Sequence, residues 1–144
     1  GVNDTGPLGA SRVLLLSPDN DASPNDWARS TGSDNYALID EQDWDETDYV
    51  EAVTNGDDDH YGLSTLAAAD EVHALQIDVV CEAVDGTPNL HIGGDDGTAD
   101  EVDVGTVPTG STSHYRELFE QDPSGVDWSV ANVNSVEATQ RMTE

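Results

Sequence analysis

The 144-residue sequence contains no lysine, and its four basic residues are all arginine. They are Arg12, Arg29, Arg116 and Arg141. Against them stand 31 Asp and Glu residues, which give a formal net charge of -27 at pH 7. A nucleic-acid-binding surface needs a basic stripe or patch, and four scattered arginines do not form one. The composition therefore argues against nucleic acid as a partner, and it indicates a chain whose own charges repel one another.

Cysteine is also scarce. Cys81 is the single cysteine, so no internal disulfide can form. It lies in an apolar, strand-like run beside Glu82, where a thiol behaves as a small hydrophobe and has no nearby positive charge to activate it. The sequence has no apolar run of about 18 residues, so no membrane-spanning helix is predicted.

Apolar residues recur in patterned clusters, which predicts one folded domain over residues 12–144 after an N-terminal arm or linker over 1–11. The clearest element is 72–84, where polar and apolar residues alternate. This period of two predicts a long central strand with Leu75, Ile77, Val79 and Cys81 facing the core.

Turn signals punctuate the rest of the chain, and short strand-like runs lie between them. Frequent short strands of this kind predict an all-β fold, an antiparallel β-sandwich of jelly-roll or concanavalin-like type with long loops. Residues 17–34 and 93–100 are expected to be loops, and Ser129 is expected to cap a short helical turn. The further strand candidates are 12–16, 36–39, 48–53, 60–66, 89–92, 101–107, 115–119 and 135–142.

The histidines and carboxylates show no recognisable ligand spacing. His60, His73, His91 and His114 have no histidine partner two or four residues away, so no zinc site is predicted. A structural cation is expected first at the Gly/Asp loop that holds Asp95, Asp96 and Asp100, although no acidic cluster matches a twelve-residue calcium loop. Nucleophile and phosphate-binding motifs are absent. The sequence therefore predicts a non-enzymatic protein without a cofactor.

Large aromatic side chains are the candidates for contact with partners: Trp27, Trp44, Tyr49, Tyr61 and Trp128. Packing in the core is the competing interpretation for each, since aromatics dominate small cores. Trp128 follows a turn at 122–125 and is expected in the core. Trp44 lies in an acidic turn and is expected to be exposed, at a contact with a neighbour.

One arrangement of short motifs covers residues 11–142. Tyr36 precedes Asp40-Glu41, Asp48-Tyr49-Val50 and Asp59-His60-Tyr61, and after the strand at 75–80 the tail reads Asp122-Pro123-Ser124-Gly125-Val126-Asp127-Trp128-Ser129 with Val133-Asn134. This order resembles that of small virion structural proteins of tailed double-stranded DNA viruses and prophages. The chain departs from the pattern in two places: the threonine before Gly125 is absent, and Ser129 replaces the threonine after the tryptophan.

The resemblance implies a jelly-roll or concanavalin-like sandwich located in the virion, in the first place a capsid decoration or turret subunit. A tail or baseplate component, or a carbohydrate-binding sandwich for host attachment, is the alternative; glycan binding that depends on Trp27 or Trp44 would identify the latter. The expected partners are copies of the same chain, other capsid or tail proteins, and host-surface glycans, with neither nucleic acid nor membrane among them. The acidic composition adds the expectation that the host of such a virus is halophilic.

We predict that the fold depends on high salt. The Debye length falls from about 8 Å at physiological ionic strength to about 3 Å at 1 M, so added salt should screen the repulsion among the carboxylates. The melting temperature should rise steadily between about 0.1 and 3 M salt. A flat curve over this range would contradict the interpretation of the acidity as a salt adaptation.

Overall fold

The computed structural model describes residues 13–40, 45–67 and 71–144. The predicted arm at 1–11 and Trp44 lie outside these residues. The described chain is almost entirely β-structure, with one 3-10 turn at Tyr36–Leu38 and one short helix, α1, at Val130–Val133. The strands are β1 (Pro18–Asn25), β2 (Ala28–Arg29), β3 (Val50–Glu51), β4 (Asp58–Leu63), β5 (Leu75–Cys81), β6 (Asn89–Asp95), β7 (Ala99–Thr106), β8 (Ser113–Phe119) and β9 (Glu137–Thr143). None of the helices in these ranges is long and apolar enough to cross a membrane.

Two antiparallel sheets form the body of the protein. The larger has five strands in the order β1-β4-β9-β6-β7, and the smaller is the pair β5-β8; β2 and β3 form a short separate ladder. Apolar side chains of β5 and β8 pack against the larger sheet. The predicted all-β sandwich is confirmed, while its jelly-roll or concanavalin-like subtype stays a prediction.

A strand is confirmed within 72–84, but it is shorter than predicted and belongs to the smaller of the two sheets. It spans Leu75–Cys81, and Ile77, Val79 and Cys81 pack against a buried cluster while the residues between them are exposed. Among the strands that the structure describes, β5 pairs with β8 alone. It is therefore not the central strand of a large sheet.

The core consists of two clusters. One contains Leu66, Trp128, Val133 and Val136, and the other contains Ala83, Leu90, Ile92 and Val107. Trp128 is 6% exposed, and its indole Nε1 donates to the carbonyl oxygen of Phe119 at 2.8 Å. The expected cap is also present, since the Ser129 side chain accepts from the backbone N–H of Asn132 at the start of α1.

Three predictions near the N-terminus are wrong. The apolar run at 12–16 is not a strand over its described residues, and Val13 and Leu15 are 99% and 65% exposed. The neighbouring edge of β4 is taken by β1, which lies within the predicted loop 17–34. The segment 36–39 forms a 3-10 turn instead of a strand. The apolar residues at 12–16 predicted a buried strand, but the strand that pairs with β4 is formed by the polar residues that follow them.

The predicted loop at 93–100 is instead a hairpin. β6 continues through Gly93 and Gly94 to Asp95, and β7 begins at Ala99. A Cβ at Gly93 would collide with the backbone of Asp100 and Glu101, and one at Gly94 would lie 3.0 Å from Val136. The glycines therefore permit close approach within the sheet, where the sequence suggested a turn.

We predict that Trp128→Ala destabilises the fold far more than Tyr49→Ala. Truncating a buried tryptophan costs about 3–5 kcal/mol, a large part of the roughly 5–15 kcal/mol that stabilises a domain. Tyr49 is 47% exposed, so its truncation removes little packing. Chemical denaturation of both variants in molar salt makes the comparison. A larger loss for Tyr49→Ala would show that core and surface have been assigned the wrong way round.

Candidate functional site

An open cleft runs along β5, on both sides of the strand. Its volume is about 2380 Å³, and its lining includes Ile77 and Val79 from the core-facing side of β5 and Val80 from the opposite side. Exposed apolar side chains line its rim. They are Val13, Leu14, Leu15, Tyr49, Val53, Val80, Val84 and Leu118; Val80 and Leu118 are on the outer face of the β5-β8 pair.

The structure separates the aromatic candidates. Tyr49 is 47% exposed and lines the cleft. Trp27 also lines the cleft but is half-buried and packs against the cluster around Ile92. Tyr61 is 3% exposed, so its assignment as an interface residue is wrong. Its strand has one face in the core, and Tyr61 is on that face.

A buried polar network explains why Tyr61 lies inside. Asp59 is completely buried, and its carboxylate accepts from the Tyr61 hydroxyl at 2.6 Å, from Asn35 Nδ2 at 2.6 Å and from the Trp27 backbone N–H at 2.8 Å. Gln140 Nε2 donates to the Tyr61 hydroxyl at 3.0 Å. Burial, together with the hydrogen bond to Asp59, raises the pKa of Tyr61 above its ordinary value, so the phenol remains a donor. The network fixes the segment around Trp27 against β4.

The acidic loop proposed for a cation does not form a single site. Asp95 and Asp96 accept hydrogen bonds from the N–H groups of Gly97 and Thr98 in the β6-β7 turn, and Asp96 also accepts from the Ser124 hydroxyl. Asp100 pairs with Gly94, one position away from the Asp95 pair. Neighbouring positions along a strand alternate between faces, so Asp95 and Asp100 are on opposite sides of the sheet.

A different set of polar side chains does converge, on the face of the five-stranded sheet away from the cleft. Asp58, His60 and Glu101 each bring one ligand atom within 4.8 Å of the others. Glu137 Oε2 and Asp95 Oδ2 lie 3.2 and 3.7 Å from His60 Nδ1. We call these five residues the His60 patch. It gathers four carboxylates around an imidazole whose side chain is 5% exposed.

Positive charge at the patch is limited. Arg141 Nη2 lies 2.6 Å from Glu101 Oε2, and His60 Nε2 lies 3.3 Å from Asp58 Oδ2. Burial raises the pKa of Asp58, and the negative charge of Glu101 adds to this effect, while His60 and Arg141 oppose it. The carboxylates are therefore held close together against their mutual repulsion.

The sequence analysis missed the patch because its members lie on four strands. His60 and Glu101 are 41 positions apart, and Glu137 is 36 further on. Their meeting depends on the strand order β4-β9-β6-β7, which no local spacing encodes. The one available signal was polar residues at alternate positions, as in Asp58 and His60.

Cys81 shows no feature of a nucleophile. It packs beside Ile77 and Val79 against the buried cluster. Burial raises the pKa of its thiol to about 11, so the thiolate is scarce at neutral pH. This environment agrees with a packing role.

Comparisons with known proteins give no relative: no family model, no curated protein and no solved structure matches the chain.

We predict slow alkylation of Cys81. With a pKa of about 11 in place of 9.0, the thiolate fraction at pH 8 is about 100-fold lower than in the unfolded chain. A more basic thiolate is also more nucleophilic, which leaves a reduction in rate of about tenfold before steric protection is counted. Iodoacetamide labelling at pH 8, folded in molar salt against unfolded in guanidinium, measures the ratio. Equal rates would contradict the buried, protonated thiol.

Proposed function

We propose that this protein is a non-enzymatic structural subunit of a tailed-virus particle, a capsid decoration or turret protein of a halophilic host, and that it works as a symmetric homo-oligomer. The single observation that carries the assembly role is the exposed apolar rim of the cleft. Large exposed apolar patches on small domains mark interaction surfaces. The motif order that resembles virion proteins supports the placement in a particle.

A second copy of the chain is the occupant that fits the cleft. Each copy presents both an open cleft with apolar residues along its rim and an exposed apolar segment beside it, Val13–Leu15, which is 45–99% exposed. Residues 13–18 carry no charge, so this segment can approach another highly acidic molecule with little repulsion. Closed symmetry is also the rule for soluble assemblies.

The alternatives have less support. A tail or baseplate position would use the same surface and is distinguished by the identity of the neighbouring proteins. Host-glycan binding would need an exposed aromatic platform; Trp27 packs inward, and Tyr49 is the one aromatic residue among those described with more than a third of its surface exposed. Trp44 lies outside the described residues.

We predict that Leu15→Asp weakens self-association and that Val126→Asp does not. Leu15 and Val126 are similarly exposed, at 65% and 57%, but only Leu15 lies on the cleft. Both variants add one negative charge, so a general effect of charge appears equally in both. Light scattering and native mass spectrometry in molar salt give the oligomeric state.

A monomeric wild-type protein that also fails to bind capsid or tail proteins of a halophilic virus would refute the proposal. Equal dissociation of the two variants would refute the assignment of the cleft as the contact surface. Density for the whole particle at side-chain resolution distinguishes head from tail.

A further inference from the structure

The His60 patch brings three groups of metal-ligand type within 4.8 Å of one another, and the sheet register explains how it forms. His60 is directly opposite Thr139, Thr139 is opposite Gly93, and Gly93 is opposite Glu101. Directly opposite residues have their side chains on the same face. The four positions therefore form one row across four strands, with His60 and Glu101 at its ends.

The two residues in the middle of this row, Thr139 and Gly93, take up little space above the sheet, so the side chains of His60 and Glu101 at its ends can approach each other. In a flat sheet with strands about 4.8 Å apart, the backbones of His60 and Glu101 would be about 14 Å apart. Here the backbone of β7 at Asp100 and Glu101 lies so close over Gly93 that a Cβ there would collide with it. This curvature brings Glu101 toward His60, and the ligand atoms of the two residues lie within 4.8 Å of each other. Gly93 has no side chain to prevent this, and Thr139 has a short one.

Two buried oxygen atoms, one in the patch and one beside it in the row, have no hydrogen-bond partner among the described residues. Thr139 is 2% exposed, and its Oγ1 is one of them. Asp58 Oδ1 is the other. Buried polar groups are almost always satisfied, because leaving one unpaired is unfavourable. Thr139 lies in the row between His60 and Glu101, so a ligand bound between these two side chains would lie close to Thr139.

The charges at the patch call for a further cation. Asp58, Asp95, Glu101 and Glu137 bring four carboxylates together, and Arg141 pairs with one of them. Clustered, partly buried carboxylates are stable only when paired or bound to a metal. The sequence contains no lysine, whose long flexible side chain often supplies positive charge at a protein surface.

We propose that Asp58, His60 and Glu101 bind one divalent first-row transition-metal ion of the zinc or manganese type. One imidazole with carboxylates suits these ions, whereas calcium and magnesium take oxygen ligands alone. Bonds of about 2.1 Å to tetrahedral ligands place the ligand atoms about 3.4 Å apart. The atoms in the patch need to close by about 1 Å or a little more, a movement that neutralising their repulsion favours.

The neighbours of His60 indicate which of its ring nitrogens would bind the ion. His60 Nε2 faces Asp58 and is the ligating nitrogen. Nδ1 faces Glu137 at 3.2 Å, an arrangement in which a carboxylate orients a metal-bound imidazole. The ion would tie β4 to β7 across β9 and β6. This structural role is independent of the assembly role proposed above.

Titration calorimetry with Zn²⁺ in molar potassium nitrate tests the proposal, since strong salt screens diffuse cation binding to an acidic surface. We expect one saturable Zn²⁺ site per chain and no comparable heat with Ca²⁺ or Mg²⁺. His60→Asn and Glu101→Gln should each lower the affinity at least about tenfold, and Glu137→Gln about tenfold. The matched controls, His114→Asn and Glu120→Gln, remove the same residue types from exposed positions and should bind Zn²⁺ as the wild type does.

A measurement on the wild type alone guards against variants that fail to fold. One equivalent of Mn²⁺ should broaden the amide resonances of Gly93 and Thr139 first. Broadening that begins elsewhere overturns the proposal. So does equal binding of Ca²⁺, equal loss in the control variants, or the absence of saturable Zn²⁺ binding in molar salt; each would leave the patch as a network of hydrogen bonds.

Discussion

The shortage of cations is the constraint on which the rest of this structure depends. Four arginines cannot neutralise 31 carboxylates, so the fold satisfies many of them with backbone N–H groups. Asp21 accepts from the N–H groups of Asn35 and Tyr36, and Asp122 accepts from those of Ser124 and Val126. Hydrogen bonds to a charged acceptor are stronger than neutral ones. The loops are therefore ordered by the same charges that repel one another over longer distances.

This arrangement explains the preference for aspartate, of which there are 21 against ten glutamates. The short aspartate side chain reaches backbone N–H groups a few residues away, as at Asp45, Asp57 and Asp103. Asp59 accepts hydrogen bonds in the same way inside the protein, where its carboxylate joins the segments around Trp27 and Asn35 to β4. The His60 patch differs, because its carboxylates come from separate strands and have fewer donors within reach.

The sequence correctly predicted features that depend on local residue patterns, and it missed features that depend on which strands pair with each other. The alternation over 72–84 predicted a strand and its buried face, confirmed for Leu75–Cys81, and the turn before Trp128 predicted a buried indole, which is also confirmed. The strand expected at 12–16 and the loop expected at 93–100 were wrong, because burial at the first and the path of the backbone at the second depend on which strand lies alongside. The His60 patch was missed for the same reason, since its four strands meet through register.

The end of the five-stranded sheet at β7 has a consequence for solubility. β7 is hydrogen-bonded to β6 on one side and is the last strand of its sheet. An unpaired strand edge is a template for the edge of another molecule. Asp100, Glu101 and Asp103 place charge along this one, and in dilute salt like-charged edges keep apart. Strong salt shortens the range of that repulsion to about 3 Å. The strong salt that we predict to stabilise the fold would therefore also remove the protection of its edge, so the salt concentrations of greatest stability and of greatest solubility are expected to differ.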